Sequence, residues 1–119
     1  MVSLDEIRTS NLQISTKLPP GLVAVFVGAT NGIGENTIKQ WAKYTTRPRV
    51  YFVGRSAEAG QRIAAECKAV NVDGEFIFVQ KDTSLMRNVD EICEEIKRKE
   101  KTINLLFMSI GTLAWYTSE

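Results

Sequence analysis

Histidine is missing altogether from this 119-residue chain. That removes the side chain most often used as a general base near neutral pH, and the commonest neutral nitrogen ligand for a metal. Cysteine is scarce. Cys67 and Cys93 stand far apart and form no Cys-x-x-Cys pair, so they read as reduced core thiols of a cytosolic protein rather than as a disulfide. Charge of one sign is not in excess either. Fifteen basic and fourteen acidic residues leave a net charge of +1, which gives no electrostatic case for nucleic acid or an anionic membrane. No stretch approaches the roughly 20 apolar residues of a membrane span. The apolar run at 22–27 is too short for a signal-peptide core, and no small-residue cleavage site comes after it. These absences together predict a soluble, cytoplasmic chain.

What is present is ordinary for a globular protein: 44% hydrophobic and 24% charged residues, with a mean hydropathy of −0.12. The length allows one domain at most. Residues 1–20 form a polar arm, and residues 21–119 form the domain. Ser3 and Glu6 have capping-box spacing, which predicts a short helix near 4–11. Pro19-Pro20-Gly21 then stops regular structure. The arm is expected to cover one edge of the domain.

From there strand and helix patterns alternate. Residues 22–27 are apolar on both faces, as in a central parallel strand. A helix from 33 to about 44 comes next, with Ile38, Trp41 and Ala42 as its buried stripe. Residues 50–53 are the second strand. Ser56 caps a helix to about 71, whose buried face carries Ala59, Ile63, Cys67 and Val70. The third strand is 75–80. Thr83 or Ser84 caps a helix from 85 to 99 with Leu85, Val89, Ile92 and Ile96 inward. Its acidic residues precede its basic ones, which suits the helix dipole and marks a solvated face. The fourth strand is 103–108. Alternation of this kind predicts a Rossmann-type doubly wound α/β fold with an incomplete parallel sheet of about four strands, order 3-2-1-4. Right-handed crossovers then place Cys67 and Cys93 on opposite faces of the sheet.

The segment Gly28-Ala29-Thr30-Asn31-Gly32-Ile33-Gly34 lies between the first strand and its helix. Glycines placed there allow a tight turn, close approach of the backbone to a phosphate, and close packing of helix on strand. Free N–H groups at the new helix terminus then point at a pyrophosphate. An ordinary strand-to-helix turn is the competing reading.

The spacing is GxxxGxG, and with Ile33 it resembles the TGxxxGIG loop of the short-chain dehydrogenase/reductase family; Val27 stands where that loop has Thr. The likeness extends over roughly residues 22–111. Within the family, residues 22–34 with their proline-glycine lead-in look most like reductases of filamentous fungi. The resemblance implies a nicotinamide dinucleotide bound by Gly28, Thr30, Asn31, Gly32, Ile33 and Gly34. Many NAD-using members carry an Asp after the second strand, whereas this chain has Gly54-Arg55-Ser56. A guanidinium there bonds a 2′-phosphate, so Arg55 with Ser56 implies NADP(H) over NAD(H). The competing reading of Arg55 is a solvated loop charge, and neutral Asn31 lacks the basic residue often found before the second glycine. Asp82-Thr83 resembles the family's adenine-binding Asp-hydrophobic pair; a turn aspartate ahead of a helix cap is the alternative.

The likeness weakens after the fourth strand. Family members read Asn-Asn-Ala-Gly there, and this chain reads Met108-Ser109-Ile110-Gly111. Ser109 still offers a hydroxyl near the cofactor ribose, and Gly111, the one position kept, remains a cofactor-binding candidate. The family's Tyr-x-x-x-Lys pair, which handles the proton of the substrate oxygen, has no counterpart. Tyr51 is followed at that offset by Arg55, Tyr44 by Pro48, and Tyr116 by too little chain. No catalytic residue is therefore nominated. The resemblance implies an oxidoreductase transferring hydride at a carbonyl or hydroxyl group, with this chain as its cofactor-binding portion: a fragment, a truncated product or a pseudo-enzyme. The alternative is a non-catalytic dinucleotide-binding module. A structural partner that completes another protein's sheet is the weaker third. Residues 22–27 and 105–108 are expected to expose apolar surface, inviting an oligomer or a partner chain over the fourth strand.

Overall fold

The computed structural model describes residues 1–110. Its elements in chain order are α1 (Leu4–Leu12), α2 (Ile14–Lys17), β1 (Val23–Val27), α3 (Gly32–Tyr44), β2 (Arg49–Gly54), α4 (Ala57–Val70), β3 (Glu75–Gln80), α5 (Met86–Lys99) and β4 (Leu105–Met108). The four strands are parallel in the order β3-β2-β1-β4. Fold class, strand order and the alternation of elements are as the hydrophobic patterning requires. No helix among the described residues is long and apolar enough to cross a membrane.

Register explains much of the core. Phe26 pairs with Phe52 and Phe107, and Phe52 with Phe78. One row across all four strands is therefore phenylalanine. Ring centroids lie 5.5 Å apart for Phe26–Phe107 and 5.1 Å for Phe52–Phe78, both pairs tilted. Ile38 and Ala42 of α3 and Ile63 and Cys67 of α4 close over this face. Burial pushes the Cys67 thiol up to about 11, so it stays protonated and unreactive. The opposite face carries Val23, Val25, Tyr51, Val53 and Val79 beneath Ile92 and Ile96 of α5. Asn71, at the end of α4, donates its side-chain amide to the carbonyls of Ala42 and Thr45, satisfying the free end of α3.

Several local expectations are corrected. Leu85 is not part of the α5 stripe: it is the extended N-cap residue and 43% exposed, and neither Thr83 nor Ser84 caps the helix. Val70 lies in the last turn of α4 and is exposed, while Gly60 joins Ile63 and Cys67 on the buried face. Cys93 is exposed on α5, not in the core, though the two thiols do lie on opposite sides of the sheet. β1 is buried rather than exposed, because α5 covers it. β4 does expose Leu106 and Met108.

The arm covers no sheet edge. The capping box forms as the sequence requires, with Ser3 Oγ accepting from Glu6 N and Glu6 Oε2 accepting from Ser3 N. Nevertheless α1 and α2 bury no residue. Among the described residues, the arm meets the domain through the Thr46 hydroxyl, in the loop after α3, which donates to the Ser15 carbonyl.

Candidate dinucleotide site

The carboxyl ends of a parallel sheet converge where consecutive crossovers leave in opposite directions, and a crevice opens between them. Here that crevice is a cleft of about 490 Å³ lined by residues at the ends of all four strands. Gly28, Thr30 and Asn31 line it from the loop after β1, and Arg55 from the loop after β2. Asp82 and Thr83 come from the loop after β3, and Ser109 comes just after β4. Seven of the sequence-derived candidates thus meet in one place.

The loop geometry is specific to glycine at its first position. Gly28 has φ +79°, and a β-carbon there would lie 2.7 Å from Ile110 Cγ2 and 2.8 Å from Ser109 O. At the third glycine the constraint is packing: a β-carbon on Gly34 would sit 2.7 Å from Ala29 Cα. The second, Gly32, has open space for a β-carbon, but its φ of +57° lies in the left-handed region that favours glycine. The helix terminus itself is uncapped. Asn31 is the N-cap residue, yet its side chain accepts no bond from the helix. Among the described residues, the N–H groups of Gly32, Ile33 and Gly34 have no acceptor. Three donors without acceptors and the positive end of the α3 dipole therefore coincide at one helix terminus, although Gly34 itself is buried.

The remaining candidates divide. Ile33 is exposed and, like Gly32, Gly34 and Ser56, does not line the cleft. The Ser56 hydroxyl accepts from Ala59 N, capping α4 as its position predicts. Arg55 forms no ion pair among the described residues. Asp82 Oδ1 accepts from Ser84 N at 3.0 Å, so the aspartate shapes its own turn. Bonds from Ser84 hold its carboxyl below the usual carboxylate range, and the Arg55 charge adds to this. Gly111 lies outside the described residues.

Val53, Gly54, Lys81, Ser84 and Ile110 also line the cleft. The signal for them is positional, since each stands at a strand end or beside a motif residue. Lys81 pairs with Glu91 of α5 at 2.6 Å. A second concavity, of about 460 Å³, lies between α4 and the start of β3. It is mostly apolar, and Lys68 there is engaged with the Gly74 carbonyl.

The two tyrosines among the described residues lie away from the cleft. Tyr51 is fully buried in β2, and its hydroxyl donates to Glu100 Oε1 at 2.8 Å. Burial raises its pKa, Glu100 adding to that shift. Tyr44 ends α3, at the opposite end of that helix from the cleft.

A family model described as short chain dehydrogenase matches residues 22–118. The chain belongs to the short-chain dehydrogenase family. Fungal relatives include the oxidoreductase andH of Emericella variicolor, 41% identical over 112 residues, covering 94% of this chain and 33% of that protein. Retinol dehydrogenase 11 of Mus musculus is 32% identical over 106 residues, 88% of this chain and 31% of the mouse protein. The chain spans about a third of the length of these curated relatives. Among solved structures it resembles L-sorbose reductase from Gluconobacter frateurii, complexed with NADPH and L-sorbose. There the TM-score is 0.73 at 23% identity, over 82% of this chain and 36% of that one. At that identity the likeness is one of fold.

Proposed function

We propose that the cleft binds NADP(H) in preference to NAD(H), and that the chain supplies the cofactor-binding part of an oxidoreductase acting on a carbonyl or hydroxyl group. The observation that carries the reading is the meeting, at the strand ends, of an uncapped α3 terminus with Arg55 and Asp82. The residues fit a dinucleotide. Unpartnered N–H groups at 32–34 suit the diphosphate, and Asp82 offers an acceptor for the adenine amino group. Arg55, free of an acidic partner among the described residues, suits a 2′-phosphate through charge-assisted bonds that a neutral 2′-hydroxyl does not offer. Thr30, Asn31, Thr83 and Ser109 supply further polar contacts. When bound, the nicotinamide would supply the hydride.

A second reading is a dinucleotide-binding module without chemistry of its own. Its support is that Tyr51 and Tyr44 both stand away from the cleft, so no described phenol can hand a proton to a substrate oxygen there.

Two assays test these readings. Titration with NADPH and NADH is expected to show tighter NADPH binding, lost in Arg55→Ala; equal affinity for both, unchanged in that variant, would remove the 2′-phosphate argument. NADPH oxidation against a panel of carbonyl compounds is expected to show no turnover by the 119-residue chain, and turnover would contradict the second reading.

A further inference from the structure

Glu35 is the fourth residue of α3, immediately after the three N–H groups that have no acceptor. A free carboxylate there would oppose an anion seated on the helix terminus, since like charges a few ångströms apart repel even through water. The carboxylate is not free. Arg62 Nη2 lies 2.7 Å from its Oε1, and Lys39 Nζ 2.7 Å from its Oε2. Glu66 closes the group, at 2.7 Å from Lys39 and 3.5 Å from Arg62. Two acids and two bases cancel. The Arg62 guanidinium first, and the Lys39 ammonium second, hold the Glu35 carboxyl down to about 2. Glu35 is therefore charged throughout the neutral range, and that charge must be met.

We infer that Arg62, which lies on α4 and does not line the cleft, is a positioning residue for the dinucleotide: it cancels the Glu35 carboxylate beside the diphosphate seat. This rests on the reading of the α3 terminus as that seat. Removing Arg62 leaves the four-residue group one net negative charge, next to a ligand segment that carries two. A merely structural staple between α3 and α4 would predict lost stability but no dependence of affinity on charge.

The test titrates NADPH and NADH onto the full chain, comparing wild type with Arg62→Gln, Arg62→Lys and the double variant Glu35→Gln/Arg62→Gln. Arg62→Gln is expected to weaken both nucleotides about threefold to tenfold, with the loss shrinking at high salt. Arg62→Lys should stay near wild type, and the double variant should regain wild-type affinity. The Arg62 side chain is 47% exposed, so folding should survive each change, and thermal unfolding of the same samples checks that it does. Unchanged affinity in Arg62→Gln, or a loss that persists in the double variant, overturns the inference alone. Failure of wild type to bind either nucleotide overturns the cofactor reading and this inference with it.

Discussion

Thr30 stands directly over Gly54: a β-carbon on Gly54 would overlap the Thr30 γ-methyl group. The loop after β1 therefore rests on the last residue of β2, two strands whose ends frame the proposed nucleotide site.

Gly54→Ala should push Thr30 into the cleft. Overpacking of this sort costs about 1–3 kcal/mol, and NADPH affinity should fall with it. Adding Thr30→Ser removes the obstructing methyl group and keeps the hydroxyl. Equilibrium titration and denaturant unfolding of both variants check this, and the pair should recover what the single change loses.

Gly60 is set against the Phe78 ring in the same way, with a β-carbon on Gly60 overlapping ring carbons of Phe78. Alanine there gains about 1 kcal/mol of helix propensity but meets an overpacking cost of about 1–3 kcal/mol. The second outweighs the first in a face already held by Phe52. Chemical denaturation should show Gly60→Ala less stable than wild type, and a more stable variant would mean that the ring moves aside freely.

Tyr51 gives a prediction at high pH. Its phenol is raised above the usual 10.0 by burial first and Glu100 second. Because the folded value exceeds the unfolded one, the contribution to stability is complete below pH 10.0 and is lost as pH rises through the folded value. Stability measured by urea unfolding should therefore fall above about pH 10 in wild type and less steeply in Tyr51→Phe. The same variant loses the hydroxyl's bond to Glu100, costing about 1 kcal/mol at neutral pH.

Glu35 makes the complementary case in acid. With its carboxyl held at about 2 against an ordinary value of 4.5, its contribution is complete above pH 4.5 and is lost as pH falls toward 2. Glu66 is lowered in the same direction, by Lys39 first. Glu35→Gln should flatten the acid limb of a pH–stability curve without abolishing it. An unchanged limb would show that the Glu35 pairs contribute nothing in solution, as exposed pairs often do.

The fold was legible in the sequence because each strand is short, apolar and bounded by turn residues, and each helix carries a stripe of the right period. Residues 75–80 and the helix from 33 to 44 needed almost no revision. The errors fall where one side chain serves two roles or where a register decides. Leu85 looks like the first residue of an apolar stripe, but its extended backbone puts it ahead of the helix. The phenylalanine row cannot be read from any one strand, since it exists only once Phe26, Phe52, Phe78 and Phe107 fall into register. The strand-to-helix loop at 28–34 stood out in the sequence because its glycines fall between a buried strand and a helix, which is where the structure has it. Glu35 and Arg62 did not, because their pairing spans two helices 27 residues apart in sequence.

The central claim is that a dinucleotide seats its diphosphate on the amino end of α3. The most direct measurement is a backbone amide chemical-shift titration of the labelled 119-residue chain with NADP⁺. The account predicts the largest shifts at the amides of Gly32, Ile33 and Gly34, with others at Gly28, Arg55 and Asp82. Saturating shifts confined to the concavity beside Ala64, Lys68 and Phe76, or no shifts at all, would contradict it.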